Sequence, residues 1–426
     1  MHRLFARVRS INLFDLIRRS ERMIKAVGYS VGAQALSSAG NLVVSVLLLR
    51  FLPIAEFGTW GLLYVIGASS AAFTSSITGL VFHLCVPRFA RIKRVYECAY
   101  NGLNLITVTV VSLLFSAATF GFVPVKETIG FFAIPIFVFA LTTVENIKLQ
   151  ATANNQHQAM FFIEVARQIV LVGAVAYLGW SGHIDVYLLL LVHGVTGLAA
   201  SGALMVLLRW RATFNRLAWV WHTHFFYARH LLPSVLISFF HIDAVQLLVA
   251  QRFGLNATGH LRAAELPFST LNPVKQSLNY FLPRAIYQLE NDSGIDRSKL
   301  VPLLAVGALL GTVAVATTLW LIAQPLYPWL TNKEYPADLG FMFALAHVAM
   351  IIHSLTSHYL NTVRKSRAIM LQSVFGGIAA MSTYFGTQSF LGEMSAPLAI
   401  FAAYLVMAIH GIYEIQRHVA EPVFQA

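Results

Sequence analysis

Cysteine, charge and long polar loops are all scarce in this chain of 426 residues. Cys85 and Cys98 are the only cysteines, which leaves no disulfide framework and no thiolate metal site. Charged residues make up 11% of the chain against 57% hydrophobic, and mean hydropathy is +0.67. Apolar runs of about 20 residues recur from end to end, the length of a membrane-crossing helix. A soluble globular domain is thereby excluded. A transmembrane barrel is excluded too, because it would alternate polar and apolar residues over segments of about ten. No phosphate loop of the GxxxxGK[ST] type occurs, which argues against ATP hydrolysis by this chain. No connection is long enough to fold into a catalytic domain, so a non-enzymatic role is expected. Acidic residues are also few, 18 against 30 Lys and Arg, for a net charge of +12. In an apolar chain that excess reads as membrane topology, not as a nucleic-acid surface.

What is present is an all-α polytopic membrane protein with about twelve crossings. Residues 1–27 carry Arg3, Arg7, Arg9, Arg18, Arg19, Arg22 and Lys25 among Leu4, Phe5, Ile11, Phe14 and Ile17. They read as an amphipathic cytoplasmic segment, with no apolar core leading to a signal cleavage site. Six spans follow within 28–208, at about 28–49, 58–82, 101–123, 128–147, 168–182 and 184–208. The polar segment from Lys148 to Arg167 is expected to be an interfacial helix. Residues 209–230 form a basic linker whose Trp210, Trp219 and Trp221 suit a headgroup anchor. Six more spans lie within 231–414, at about 231–251, 259–287, 300–324, 337–361, 368–391 and 395–414, and 415–426 is a cytoplasmic tail. With both termini inside, roughly 24 of the 30 Lys and Arg fall on the cytoplasmic side, a strong positive-inside bias.

The stretch from Ile242 to Ile286 breaks the apolar pattern. Asp243 precedes a tight outer turn, and the returning helix holds Arg262, Glu265 and Lys275 with Asn272, Gln276, Ser277 and Asn279. A charge at the bilayer centre costs about 2.5–3.5 kcal/mol, so four facing lipid would cost on the order of 10 kcal/mol. These groups must therefore face one another or a water-filled interior. The same region carries one copy of an internal repeat. Arg50-Phe51-Leu52-Pro53 followed by Gly58 after the first span matches Arg252-Phe253-Gly254-Leu255 followed by Gly259 after the seventh. Pro87-Arg88 and Pro283-Arg284 close the two copies. Six intervening spans preserve orientation, so the repeat is parallel and defines two six-helix bundles around a central polar cleft.

The segment LLLRFLPIAEFGTWGLLYVI, with Arg50, Pro53, Glu56, Phe57, Gly58 and Trp60, resembles the first outer turn of the multidrug/oligosaccharidyl-lipid/polysaccharide (MOP) exporter superfamily. VAQRFGLNATGHLRAAELP and PLYPWLTNKEYPAD, with Tyr335, extend the likeness to the second half. Within that superfamily the chain looks most like the Wzx-type O-antigen and exopolysaccharide flippases, although His260 stands where an aromatic is usual. The resemblance implies transport of a polyprenyl-diphosphate-linked oligosaccharide from the cytoplasmic to the periplasmic leaflet of a bacterial inner membrane by alternating access. It implies no cofactor beyond a coupling H⁺ or Na⁺. Membrane lipids, a polysaccharide polymerase and chain-length or export machinery are the expected partners, and a monomer is the expected state.

Arg50, Arg252, Arg262 and Lys275 are the candidate cations for the diphosphate, since a planar guanidinium can donate two bonds to a phosphate. Gln34, Asn41, Gln246, Asn272 and Asn279 are candidates for sugar hydroxyls, and Asp243 and Glu265 for ion coupling. Each has a plainer reading. Arg50 and Arg252 sit at helix ends, where snorkelling explains them. Arg262 and Glu265, three apart, suit a local ion pair. Asp243 can pair with Arg262 or Lys275, and His241 reads as packed. The competing functions are an H⁺- or Na⁺-coupled multidrug or organic-cation antiporter of the same fold, and a membrane-embedded polymerase or glycosyltransferase.

Overall fold

The computed structural model describes residues 13–123, 128–241, 243–271, 297–363 and 365–420. Among these the chain is helical throughout. The first half contains α1 (Leu13–Phe51), α2 (Ile54–Thr74), α3 (Leu80–Cys85), α4 (Lys93–Thr119), α5 (Thr128–Ala153), α6 (His157–Trp180) and α7 (Val186–Leu207). The second contains α8 (Leu217–His241), α9 (Asp243–Glu265), α10 (Arg297–Thr331), α11 (Ala337–Thr362), α12 (Ser366–Leu391) and α13 (Ser395–Ala420). A π turn, Ser75–Gly79, joins α2 to α3. Nine stretches of the described residues are long and apolar enough to cross a membrane, and the pair Val235–His241 with Asp243–Leu271 supplies a tenth candidate. One of the nine, Arg367–His418, holds both α12 and α13. The described helices thus account for the multi-pass architecture expected from hydropathy.

Helix is the only way these segments can satisfy their backbone in lipid. The many in-span hydroxyls turn inward to the carbonyl four residues back, as with Thr74 to Ser70 at 2.9 Å and Thr142 to Val138 at 2.7 Å. Asp185 caps α7 by accepting from the amides of Tyr187 and Leu188 at 2.8 and 3.0 Å. Large apolar side chains such as Leu114, Phe132, Ile169, Val206 and Phe390 stand exposed on the outside of the bundles, as lipid contact requires. One apolar core, with Leu48, Leu62, Ile134 and Leu190, fills the first bundle; another, with Phe268, Phe343, Ala399 and Ala403, fills the second.

One expectation is corrected here. The segment Lys148–Arg167 is not an interfacial helix. It is the end of α5, a turn at Asn155 in the left-handed region (φ 59°), and the start of α6. Gln150, Glu164 and Arg167 are buried inside the bundle, as described below, while Asn155, Gln156 and Gln158 around the turn are exposed. The linker over 209–230 is already helical from Leu217 and lies against α4, with the Thr213 amide donating to Cys98 O at 2.9 Å and Asn101 Nδ2 to Arg211 O at 2.9 Å.

The turn after the seventh span contracts to one residue, Gly254 (φ 85°, ψ 178°). Contacts on either side show the reversal. Asp243 pairs with Ser69 deep on α2, Leu255 lies against Gly58 near its start, and Arg262 returns to Gly61. A side chain would be strained at such a φ. The two repeat copies therefore meet. A Cβ on Gly58 would meet the Leu255 carbonyl and, at 2.8 Å, the Gly259 nitrogen, while one on Gly259 would meet the Ile54 carbonyl. Equivalent glycines let backbones touch across the two halves at the expected outer end. Lys333, in the loop between α10 and α11, reinforces this contact by donating to the carbonyls of Leu49 and Leu52 at the end of α1. Burial lowers the affinity of its ammonium for the proton.

A candidate substrate cleft between and within the halves

α2 forms the backbone of the site, because one face packs on α9 and the other on α5. Where α1, α2 and α9 converge lies a cavity of about 310 Å³, lined among others by Asn41, Trp60, Tyr64, His193, Arg262 and Glu265. A second cavity of about 330 Å³ opens inside the first bundle, with Gln34, Asn41, Ser75, Glu145, Arg167 and His193 on its walls. Asn41, Tyr64 and His193 line both. Asn41 Nδ2 donates to the Tyr64 hydroxyl at 3.2 Å, so an amide and a phenol stand at the junction. Trp60, Tyr64, Phe137 and His193 form a continuous ring cluster, with centroids 5.3–6.5 Å apart.

Arg262 lines the first cavity, but its guanidinium is already occupied. Nη1 donates to Glu265 Oε2 at 3.0 Å and Nη2 to Gly61 O at 3.2 Å, leaving buried Nε without a partner. The local pair of Arg262 with Glu265 is thus real, and it also ties α9 to α2. Asp243 accepts from Ser69 Oγ at 2.6 Å. Among the described residues Asp243 makes no ion pair, so the pairing with Arg262 is not found: Arg262 is turned to Glu265 instead. Gln246 is buried with Oε1 unpartnered, outside both cavities. Arg50 and Arg252 are exposed at the expected outer end and line neither cavity. Gln34 and Asn41 do line the cleft. Asn272, Lys275, Asn279 and Arg284 lie outside the described residues. His241 is packed as expected, with Nε2 2.6 Å from Ser373 O.

Sequence reasoning missed a buried ion network. Glu164, 2% exposed, accepts from Arg167 Nη2 at 2.5 Å, Arg167 Nε at 3.1 Å and Gln168 Nε2 at 2.9 Å, and lies 3.2 Å from Lys148 Nζ. Lys148 in turn reaches Glu145 at 3.1 Å. The signal was present as two pairs spaced three apart, Glu145/Lys148 and Glu164/Arg167. Assigning their segment to the interface hid it.

No protein-family model matches the chain, and no curated protein matches it by sequence. Solved structures do match. An inward-facing multidrug resistance MATE family transporter of the MOP superfamily aligns with 90% of this chain and 94% of its own, with a TM-score of 0.69 at 12% identity. The lipid II flippase MurJ, in an inward closed conformation, aligns with 90% of this chain and 86% of its own, with a TM-score of 0.68 at 9% identity. The eukaryotic MATE transporter AtDTX14 covers 94% of this chain and 96% of its own, with a TM-score of 0.66 at 12% identity. The chain has the fold that these transporters share.

Proposed function

We propose that this protein is a flippase that moves a polyprenyl-diphosphate-linked oligosaccharide across the bacterial inner membrane for cell-surface polysaccharide synthesis. The observation that carries this reading is the charge balance of the cleft. Each charged group on its described walls is matched, Arg262 by Glu265 and Arg167 by Glu164. Amide, hydroxyl and aromatic groups make up much of the remainder, from Asn41, Ser38, Ser45, Trp60, Tyr64 and Tyr404. An exporter of organic cations needs uncompensated carboxylates in its path, whereas a sugar head needs hydrogen bonds and flat apolar faces. The lipid tail stays in the bilayer while the head crosses through the cleft, as alternating access allows. Arg50 and Arg252, exposed at the expected outer end, are the cations proposed to meet the diphosphate as it leaves the cleft. An anionic head leaving an inside-negative cytoplasm gains about 2.3 kcal/mol per charge per 100 mV, so potential alone can drive it.

The multidrug reading keeps one supporting observation, the likeness of the fold to MATE transporters. Reconstitution separates the two. Purified protein in liposomes with a fluorescent polyprenyl-diphosphate oligosaccharide should expose the lipid in the other leaflet, faster with an imposed potential of the right sign. Arg262→Ala, which removes the tie to Gly61 and Glu265, should slow it at least tenfold. Exchange of a cationic dye for H⁺ or Na⁺ with no lipid movement would put the antiporter in its place. Ion coupling through Asp243 or Glu265 is a separate proposal, and it fails if collapsing ion gradients at constant potential leaves the rate unchanged.

A further inference from the structure

We infer that the cavity inside the first bundle is a separate sugar subsite, which takes one uncharged glycosyl unit of the head while the diphosphate-proximal sugar stays in the cleft at Arg262. This rests on the flippase reading and adds a place and a chemistry to it. The cavity is a built site. Arg167 is buried, and its fork is clamped from behind by Glu164 through Nε and Nη2. Among the described residues no partner meets Nη1, the one end left for the chamber. Glu164 is itself fixed by Lys148 and Gln168, so Arg167 is held in one rotamer before any ligand arrives.

A second observation points the same way. His193 is 4% exposed and has an unpartnered Nδ1, and it stands in the wall common to both cavities. A buried unpaired nitrogen of this kind is costly unless something meets it. Gln34, Ser37, Asn41 and Ser75 add hydrogen-bonding groups around the chamber. Ala68, Ala72 and Gly197 supply small walls.

The charge count selects the ligand class. Lys148 and Arg167 are balanced by Glu145 and Glu164, so the chamber offers directed hydrogen bonds without net charge. That disfavours a bare phosphate or an organic cation and suits a sugar ring. Its size, about 330 Å³, lies at the lower end of ligand cavities, about 300–1,000 Å³. It can receive one glycosyl unit and not a whole repeat.

The test fills the chamber without touching the ion network. Ala72, exposed on α2 and lining the cavity, is replaced in Ala72→Phe. Liposomes carry polyprenyl diphosphate bearing either a single N-acetylglucosamine or a tetrasaccharide. The ratio of tetrasaccharide to single-sugar flipping should fall at least tenfold in the variant. If wild type moves both lipids and the ratio is unchanged, the subsite is wrong and the flippase reading stands; if wild type moves neither, the flippase reading itself falls. Calorimetric binding of the free tetrasaccharide to detergent-purified protein gives a readout independent of transport. Ala72→Phe should bind at least tenfold more weakly, and equal binding, or none to wild type, overturns the subsite.

Discussion

Replacing Glu164 by glutamine keeps the shape of the side chain and removes its charge, which isolates what the buried network is worth. Glu164 is 2% exposed and Arg167 5%, so solvent screens their interaction little. At 3.2 Å, the attraction of Lys148 alone is about 5 kcal/mol at an effective dielectric constant of about 20. Most of that offsets the desolvation of both ions, so the pair adds little over a neutral core. The variant is different, because it strands the partners. Arg167 and Lys148 would then share one carboxylate, Glu145, whose side chain is 46% exposed, and the new amide would turn an NH₂ toward a donor. Removing one member of a buried pair typically costs about 3–5 kcal/mol. For a chain of this size that corresponds to a fall of about 3–6 °C in melting temperature. The assay is thermal unfolding of detergent-purified protein. Lys148→Met in the Glu164→Gln background restores the charge balance and should recover about half of the loss. A Glu164→Gln melting temperature within 1 °C of wild type would refute the claim that these charges depend on one another, as would a double variant less stable than the single one.

Other outcomes follow from contacts already given. Gly58→Ala forces a methyl between two backbones that cannot give way, and overpacking of this kind costs about 1–3 kcal/mol or more. It should loosen the end of the cleft near Arg50, read as faster maleimide labelling of Ser269→Cys, a position on the wall of the first cavity, from the extravesicular side in a background lacking Cys85 and Cys98. Unchanged labelling would mean that this contact is no gate. Lys333→Met removes the cap on α1 and should act in the same direction but less strongly, with at most a few-fold gain in labelling. His224 lies on α8 ahead of its apolar segment. It is fully buried between Tyr96 Oη, 2.7 Å from Nε2, and Ile77 O, 3.2 Å from Nδ1, and burial pushes its pKa down to about 4. The unfolded chain binds a proton near pH 6.5 and the folded chain does not, so stability is intact above that value and falls between about pH 6.5 and 4. The loss approaches about 3 kcal/mol. His224→Gln should flatten the pH dependence of melting in that window; a variant as steep as wild type would assign the dependence to other groups.

How much of this was legible in the residues varies with the range of the interaction. Hydropathy found the spans because each helix must satisfy its own backbone in lipid, a local requirement. Repeat matching found Gly58 and Gly259, and the structure gives that match a physical cause, since the copies press against each other and only glycine permits the approach. The Arg262–Glu265 pair was readable from a spacing of three. The partner of Asp243 was not, because Ser69 lies 174 positions away and a serine on an apolar helix carries no signal of its own. Arg167 was lost for a different reason. Polarity next to a helix end looks the same whether it faces headgroups or a chamber, and only packing distinguishes them. In a membrane bundle, a polar stretch assigned to the surface is therefore the first place to look for a site.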